Sequence, residues 1–97
     1  MKIDLNFPPF QHDLFSLNKN ELAAFARTAK KLAKMDLNQI QKSSGLNLEK
    51  IRVMTSPLGT PLYSIRMSKS FRAVLTITDD YLRFVSLHPD HDSAYKH

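Results

Sequence analysis

The chain has 97 residues, of which 42% are hydrophobic and 24% charged, a composition typical of one globular domain and not of a disordered segment. Fourteen lysines and arginines against nine aspartates and glutamates give a net charge of +5, which favours polyanionic partners. The absence of cysteine excludes disulfides and thiolate metal sites. No apolar run approaches the ~20 residues of a membrane span or forms a signal peptide. We therefore expect a single soluble domain, residues 1–97, in the cytoplasm.

The N-terminal segment predicts a strand followed by a short helix. Apolar and polar residues alternate over residues 2–7, which is the period of a half-buried strand and predicts an edge strand. The pair Pro8-Pro9 then ends extended pairing and suits the first turn of a helix. Apolar residues at helical spacing place this helix at about residues 9–17.

A second helix is predicted over residues 19–34. Asn18 is followed three residues later by Glu21, as in a capping box, and the apolar residues behind it keep helical spacing. The opposite side of this helix carries four cations, which form either a solvated helix face or a contact for a phosphate backbone or an acidic partner. These cations are Arg27, Lys30, Lys31 and Lys34.

The pattern of apolar and polar residues gives the weakest indication of secondary structure over residues 36–61. It predicts one or two helical turns around Leu37 and Ile40 that stop at Gly45. A short strand near 49–54 is compatible with the sequence, and its register is left open.

Three strongly alternating segments predict an antiparallel meander. They are residues 62–67, 71–78 and 81–88, joined by turns at residues 68–70 and 79–80. Pairing them across these turns gives one almost unbroken apolar face to pack against the helices. The expected apolar-face pairs are Tyr63 with Leu75, Ile65 with Ala73, Met67 with Phe71, Ile77 with Leu82, Leu75 with Phe84, and Ala73 with Ser86.

The same register sets Arg66 directly opposite Arg72 on the other face. Like charges opposed across a strand pair cost roughly 0.2–1 kcal/mol, so a fold alone does not require this pair. A phosphate between the two guanidinium groups makes the arrangement favourable, because each group offers a planar fork of donors. We prefer anion binding over two splayed surface arginines without a ligand. Ser64, Val74, Thr76, Arg83 and Val85 are expected around the pair.

The C-terminal segment "HPDHDSAY" holds the remaining candidates. Strict alternation places His88 on the apolar face opposite Phe71, as a packed and partly buried side chain. His91 can exchange a proton near neutral pH, and Tyr95 can stack on a base or donate a proton. A metal site is the competing interpretation, but alternation separates His88 from His91 and no further cluster of histidine or cysteine completes a ligand shell. The residues of that alternative are His88, Asp90, His91 and Asp92.

Residues 62–95 resemble the C-terminal half of the RelE/ParE superfamily of bacterial toxins, in particular the RelE-like branch with a terminal His-Asp-x-x-Tyr motif. The matching features are Arg66 on one strand, Arg72 early on the next, an acidic hairpin turn, and His91 to Tyr95 after the third strand. The resemblance implies an α+β fold with two N-terminal helices packed on one face of a small antiparallel sheet. It also implies no metal and no organic cofactor.

The resemblance further implies the toxin of a type II toxin–antitoxin pair, which cleaves mRNA in the ribosome and is silenced by a cognate antitoxin protein. On this interpretation the catalytic residues are Arg66, Arg72, His91 and Tyr95, and the RNA-binding residues are Lys69, Arg83, Lys30, Lys31 and Lys34. Two alternatives stay open: a non-enzymatic ParE-like toxin that inhibits DNA gyrase, and a degenerate basic RNA-binding member of the family. The proton-transfer groups beside an arginine pair favour the enzyme.

Overall fold

A computed structural model describes residues 1–55 and 59–89. Within these ranges no helix is long and apolar enough to cross a lipid bilayer. The described elements follow the predicted order, with each boundary within a few residues of its expected position. They are β1 (Lys2–Asp4), α1 (Pro8–Phe15), α2 (Lys19–Ala33), α3 (Leu37–Lys42), β2 (Glu49–Thr55), β3 (Pro61–Arg66), β4 (Arg72–Thr78) and β5 (Tyr81–His88).

The strands form one sheet in the order β1-β5-β4-β3-β2. The run from β2 to β5 is antiparallel, whereas β1 pairs in parallel with β5, so the sheet is mixed. The α+β class is confirmed, and β1 is an edge strand as predicted. The alternation in β1 shows that it is a half-buried strand and carries no information on its partner, so the parallel pairing was not predicted.

The core lies between the helices and one face of the sheet. Its centre is a cluster of three aromatic rings, from Phe10 of α1, Phe25 of α2 and Phe84 of β5, with centroids 5.2–5.7 Å apart. Phe10 and Phe84 are fully buried, and contact between aromatic rings at this spacing adds to the free energy gained by burying their area. Aliphatic side chains from both layers complete the core, among them Leu32, Ile40, Ile65, Leu75 and Leu82.

Local signals fix the start of α2 and its attachment to the sheet. The predicted capping box is present, with the Glu21 backbone N–H donating to the Asn18 side chain and the Asn18 backbone N–H donating to the Glu21 carboxylate. Further along α2, the buried hydroxyl of Thr28 donates to the carbonyl of Met67 at 3.1 Å. This bond holds the helix against the end of the β3–β4 hairpin, where the arginine pair lies.

The predicted register of the β3–β4 hairpin is confirmed. Tyr63 pairs with Leu75, and Arg66 lies directly opposite Arg72. Met67 donates its backbone N–H to Phe71 at 2.7 Å and so closes the hairpin. Alternation predicted this register correctly because both strands bury the same face without interruption.

The predicted register of the β4–β5 pair is wrong beyond Phe84. Leu75 pairs with Phe84 as expected, but Val74 pairs with Ser86, so Val85 is an extra residue in β5. This β-bulge shifts every later side chain of β5 to the other face. Ala73 therefore faces Leu87 instead of Ser86.

The same bulge overturns the expected position of His88. His88 lies opposite Arg72, not opposite Phe71, and its side chain is exposed instead of packed in the core. Leu87 takes the buried position, at 5% exposure. Burying a leucine and exposing a histidine is the energetically favoured outcome, since an imidazole in the core needs a compensating hydrogen bond.

Candidate functional site

Arg66 on β3, Arg72 on β4 and His88 on β5 lie side by side on adjacent strands, and we call these three residues the arginine row. They lie on the sheet face opposite the helices, which we call the arginine face. Met67 bonds to Phe71, so the neighbouring arginine pair is of the non-hydrogen-bonded kind, with Cα atoms about 4.5 Å apart. The Arg72–His88 pair is of the hydrogen-bonded kind, about 5.5 Å apart.

Arg72 is anchored to the sheet and to the segment before β2. Its Nη2 donates to Ser64 Oγ at 2.7 Å and to the carbonyl of Asn47 at 3.1 Å. The carboxylate of Glu49 lies 3.8 Å from the same nitrogen. The Arg72 side chain is 29% exposed, so these contacts hold one edge of the guanidinium in a defined place.

The turn before β2 is shaped to present these acceptors. Asn47 has a backbone φ of 47°, in the left-handed region that asparagine tolerates better than most residues. Its side-chain amide donates to Glu49 Oε1 at 2.9 Å, which orients the carboxylate next to Arg72. Glu49 pairs with Ser64 across the β2–β3 ladder, so the three partners of Arg72 converge from two strands and a turn.

Arg66 differs from Arg72 in its surroundings. Its backbone N–H donates to the carbonyl of Leu46 at 2.7 Å, while its side chain is exposed. Among the side chains that the structure describes, those of residues 1–51 and 59–89, none makes a hydrogen bond or ion pair with its guanidinium. The expected repulsion between the two arginines is reduced because Arg72 is held toward Ser64 and Glu49, and Arg66 is the more exposed of the two.

His88 is oriented by β5 and by α1. Its Nε2 lies 2.8 Å from the hydroxyl of Ser86, two residues earlier on the same face. The intervening Leu87 donates its backbone N–H to the carboxylate of Asp13 at 3.0 Å. Strand β1 pairs with β5 only as far as Arg83, so Asp13 satisfies a backbone donor that no strand reaches.

Arg83 is engaged at the other end of β5. It pairs with Asp4 across the parallel β1–β5 ladder, and its Nε donates to Asp4 Oδ2 at 2.7 Å. This hydrogen bond, together with one from the backbone N–H of Asn6, lowers the pKa of Asp4 below its ordinary value of 3.8. Arg83 lies about 13 Å from the arginine row, measured along the strands, because its partner Thr76 is four residues from Arg72. Its charge is compensated locally, which makes it a weaker RNA-binding candidate than expected.

The predicted RNA-binding lysines fall on two separate surfaces. Lys69 is exposed in the turn between β3 and β4, next to the arginine row. The helix α2 packs on the core through Phe25, Thr28 and Leu32, so its opposite side faces away from the sheet. Lys30, Lys31 and Lys34 are exposed on that far side, and the structure does not bring them together with Arg66 and Arg72.

Chemically, the arginine row combines two functions that phosphodiester cleavage requires. Guanidinium groups bind phosphate oxygens and stabilise charge that develops on them. An imidazole can take or give a proton near neutral pH. Arg66, Arg72 and His88 belong to consecutive strands of the sheet, and the guanidinium of Arg72 extends over β3 toward Asn47 and Glu49.

The predicted catalytic residues His91 and Tyr95 lie outside the described residues, as do Asp90 and Asp92. Sequence reasoning placed Ser64 beside the arginine pair, as found, but it missed Asn47 and Glu49, because the segment before β2 has no regular pattern and the register of β2 was left open. It also missed His88 as a member of the site, although a signal is present. The buried positions Leu82 and Phe84 are two apart, while the next one, Leu87, is three further on, and such a phase slip within a strand indicates a bulge.

Comparisons with known proteins support the fold through structure and not through sequence. No protein-family model matches the chain, and no curated protein sequence matches it significantly. The YoeB dimer from Staphylococcus aureus is similar in structure, with a TM-score of 0.53 and 21% identity over 93% of this chain and 97% of that one. A copper-bound mutant toxin from Helicobacter pylori is similar with a TM-score of 0.50 and 16% identity over 90% of this chain and 91% of that one. The chain therefore has a RelE-like toxin fold.

Proposed function

We propose that this chain is the toxin of a type II toxin–antitoxin system and acts as a metal-independent endoribonuclease on mRNA at the ribosome. The observation that carries the proposal is the row of two arginines and a histidine on one face of a toxin-like fold. The resemblance of residues 62–95 to RelE-like toxins supports it independently.

In the proposed reaction, the 2′ oxygen of a ribose attacks the adjacent phosphorus while the bond to the 5′ oxygen breaks. The products are a 2′,3′-cyclic phosphate and a 5′-hydroxyl end. Arg72, fixed by Ser64 and Asn47, would bind a non-bridging phosphate oxygen in a preset position. Arg66, with its exposed side chain, would close on the other side as negative charge develops. One well-placed donor of this kind is worth about 3–4 kcal/mol in the transition state.

His91 and Tyr95 are proposed to complete the site from the C-terminal segment. His91 would move one of the two protons, and Tyr95 would stack on a base next to the cut. Lys69, in the turn beside the arginines, would contact the RNA backbone. The net charge of +5 would speed the encounter with the ribosome.

An antitoxin protein is the second proposed partner. An acidic or amphipathic segment docked on the arginine face would neutralise Arg66 and cover the site at once. The salt dependence of that association is expected to be strong, since the charges involved are exposed.

The proposal is tested by induced expression followed by mapping of mRNA 5′ ends. New ends confined to translated reading frames are expected with the parent protein and are expected to vanish with Arg66→Ala. Growth arrest without new 5′ ends would contradict the endoribonuclease and favour the gyrase-binding alternative.

A further inference from the structure

The three described partners of Arg72 all meet the same nitrogen of its guanidinium. Nη2 donates to Ser64 Oγ at 2.7 Å and to the carbonyl of Asn47 at 3.1 Å, and Glu49 Oε1 lies 3.8 Å away. A guanidinium grips a phosphate with two parallel hydrogen bonds along either of two edges, and Nη2 belongs to both edges. Because Ser64 and Asn47 take its two hydrogens, Arg72 offers a phosphate single bonds from Nε or Nη1.

Arg66 is the cation of the pair that can grip a phosphate with two bonds. Its side chain is exposed, and none of the side chains that the structure describes bonds to its guanidinium. Arg66 lies directly opposite Arg72 in the β3–β4 ladder, so the two side chains reach one anion from neighbouring strands. A phosphate bound here is therefore held by the fork of Arg66 and by one fixed donor of Arg72.

A carboxylate stands at the edge of this anion site. Glu49 pairs with Ser64 across the β2–β3 ladder, which places it on the arginine face. The side-chain amide of Asn47 donates to Glu49 Oε1 at 2.9 Å and so holds the carboxylate 3.8 Å from Arg72 Nη2. A phosphate on Nε or Nη1 of the same guanidinium lies about 6 Å from that carboxylate, given hydrogen bonds of ordinary length. The carboxylate repels every negative charge that the anion carries.

We propose that Glu49 is a specificity-determining residue that suits the arginine pair to an internal phosphodiester and disfavours a terminal phosphate, an inference that rests on the proposed function. A phosphodiester carries one negative charge, whereas a terminal phosphate, with a second pKa of about 6, carries nearly two at neutral pH. Arg66, Arg72 and Glu49 together carry one net positive charge, which a phosphodiester neutralises. In mostly aqueous surroundings, each negative charge about 6 Å from Glu49 lowers the affinity about threefold. The site is therefore biased toward the interior of a nucleic-acid chain, against its phosphorylated ends and against free nucleotides.

The test is an NMR titration at neutral pH that follows the backbone amide signals of Ser64 and Arg66. One probe is a dinucleotide of 2′-deoxyadenosine with one internal phosphodiester, and the other is 2′-deoxyadenosine 3′-monophosphate. Both lack the 2′ hydroxyl, so the proposed reaction cannot consume them. Glu49→Gln removes the charge and keeps an acceptor for the amide of Asn47, while Glu49→Asp keeps the charge.

Asp79→Asn is the matched control, because it removes the same single charge at the far end of β4. Asp79 is exposed in the turn before β5, about 23 Å along the strand from Arg72. Its φ of 55° is one that asparagine accommodates. We expect Glu49→Gln to raise the affinity for the diester about threefold and for the monoester about ninefold. Glu49→Asp and Asp79→Asn should keep the parent ratio of the two affinities.

The outcomes separate charge selection by Glu49 from the function on which it rests. An unchanged ratio of affinities in Glu49→Gln would overturn the inference, and so would an equal change of that ratio in Asp79→Asn. Weaker binding of both probes by Glu49→Gln would show that Glu49 only supports Arg72, and would also overturn it. A parent protein that binds neither probe would overturn the arginine pair as a phosphate site. A parent protein that shows the expected affinities and yet cleaves no RNA would support the inference and overturn the endoribonuclease.

Discussion

Replacing Arg72 with alanine should reduce stability and cleavage together, whereas replacing Arg66 should reduce cleavage alone. The Arg72 guanidinium donates to Ser64 at 2.7 Å and to Asn47 at 3.1 Å. A hydrogen bond to a charged group contributes about 1.5–3 kcal/mol when protected from water. Because 29% of the Arg72 side chain is exposed, we discount these values for solvent screening. The ion pair with the exposed Glu49 adds less than about 1 kcal/mol.

The arginine pair partly offsets this loss of stability in Arg72→Ala. Removing Arg72 relieves a like-charge contact worth roughly 0.2–1 kcal/mol. The net expectation is a loss of about 1–2 kcal/mol for Arg72→Ala, with a cooperative fold retained. For a domain of this size, that corresponds to a melting temperature lower by roughly 5–15 °C. Arg66→Ala, at an exposed side chain, should change stability by no more than about 0.5 kcal/mol.

Urea unfolding followed by circular dichroism measures both stabilities, and a cell-free translation assay measures inhibition. Both variants should fail to inhibit translation. Equal stability of the two variants would refute the argument that Ser64 and Asn47 hold Arg72 in place. Loss of cooperative unfolding in Arg66→Ala would show that its side chain supports the fold.

The pKa of Asp4 is depressed in the folded state, so Asp4→Asn should cost up to about 1 kcal/mol at neutral pH. In urea titrations this difference should begin to shrink below about pH 4 and should be lost as the pH falls through the depressed pKa; a difference that does not shrink on acidification would contradict it. Replacing Lys30, Lys31 and Lys34 together with glutamine should weaken ribosome binding. If each lysine contacts one phosphate of single-stranded RNA, the slope of log affinity against log salt concentration should fall by about two. Unchanged affinity would show that these lysines form a solvated helix face. Tyr95→Phe should retain cleavage while Tyr95→Ala loses the equivalent of ~1–3 kcal/mol of stacking, and equal losses in single-turnover rates would assign the hydroxyl a chemical role instead.

The β3–β4 hairpin could be predicted from the sequence because one of its faces is apolar and the other carries the two arginines. Ile65 and Ala73 belong to the core, and any slip by one residue would have buried Arg66 and Arg72. The cost of that alternative is large, so the register with the two arginines opposed was the one the pattern allowed. The capping box could be predicted in the same way, because Asn18 and Glu21 are only three residues apart in the sequence.

The other half of the site depends on information that alternation does not carry. The position of His88 follows from one extra residue, Val85, and a strictly alternating template assigns it to the wrong face. Two partners of Arg72 come from irregular or unpredicted segments: Asn47 lies in a turn with a φ of 47°, and Glu49 lies in a strand whose register the sequence did not define. The parallel pairing of β1 with β5 is likewise set by the path of the chain. The alternating pattern shows that β1 is half-buried, but it does not show which strand β1 pairs with or in which direction.

The most direct test of the central claim is the fate of a defined mRNA on purified, programmed ribosomes with purified protein. We expect a cut that leaves a 5′-hydroxyl and a 2′,3′-cyclic phosphate. A 2′-deoxy substitution at the cut nucleotide should abolish it, and Arg66→Ala should slow it by roughly 10²–10³-fold, the kinetic equivalent of about 3–4 kcal/mol. An intact mRNA on ribosomes whose translation the parent protein nevertheless blocks would contradict the account.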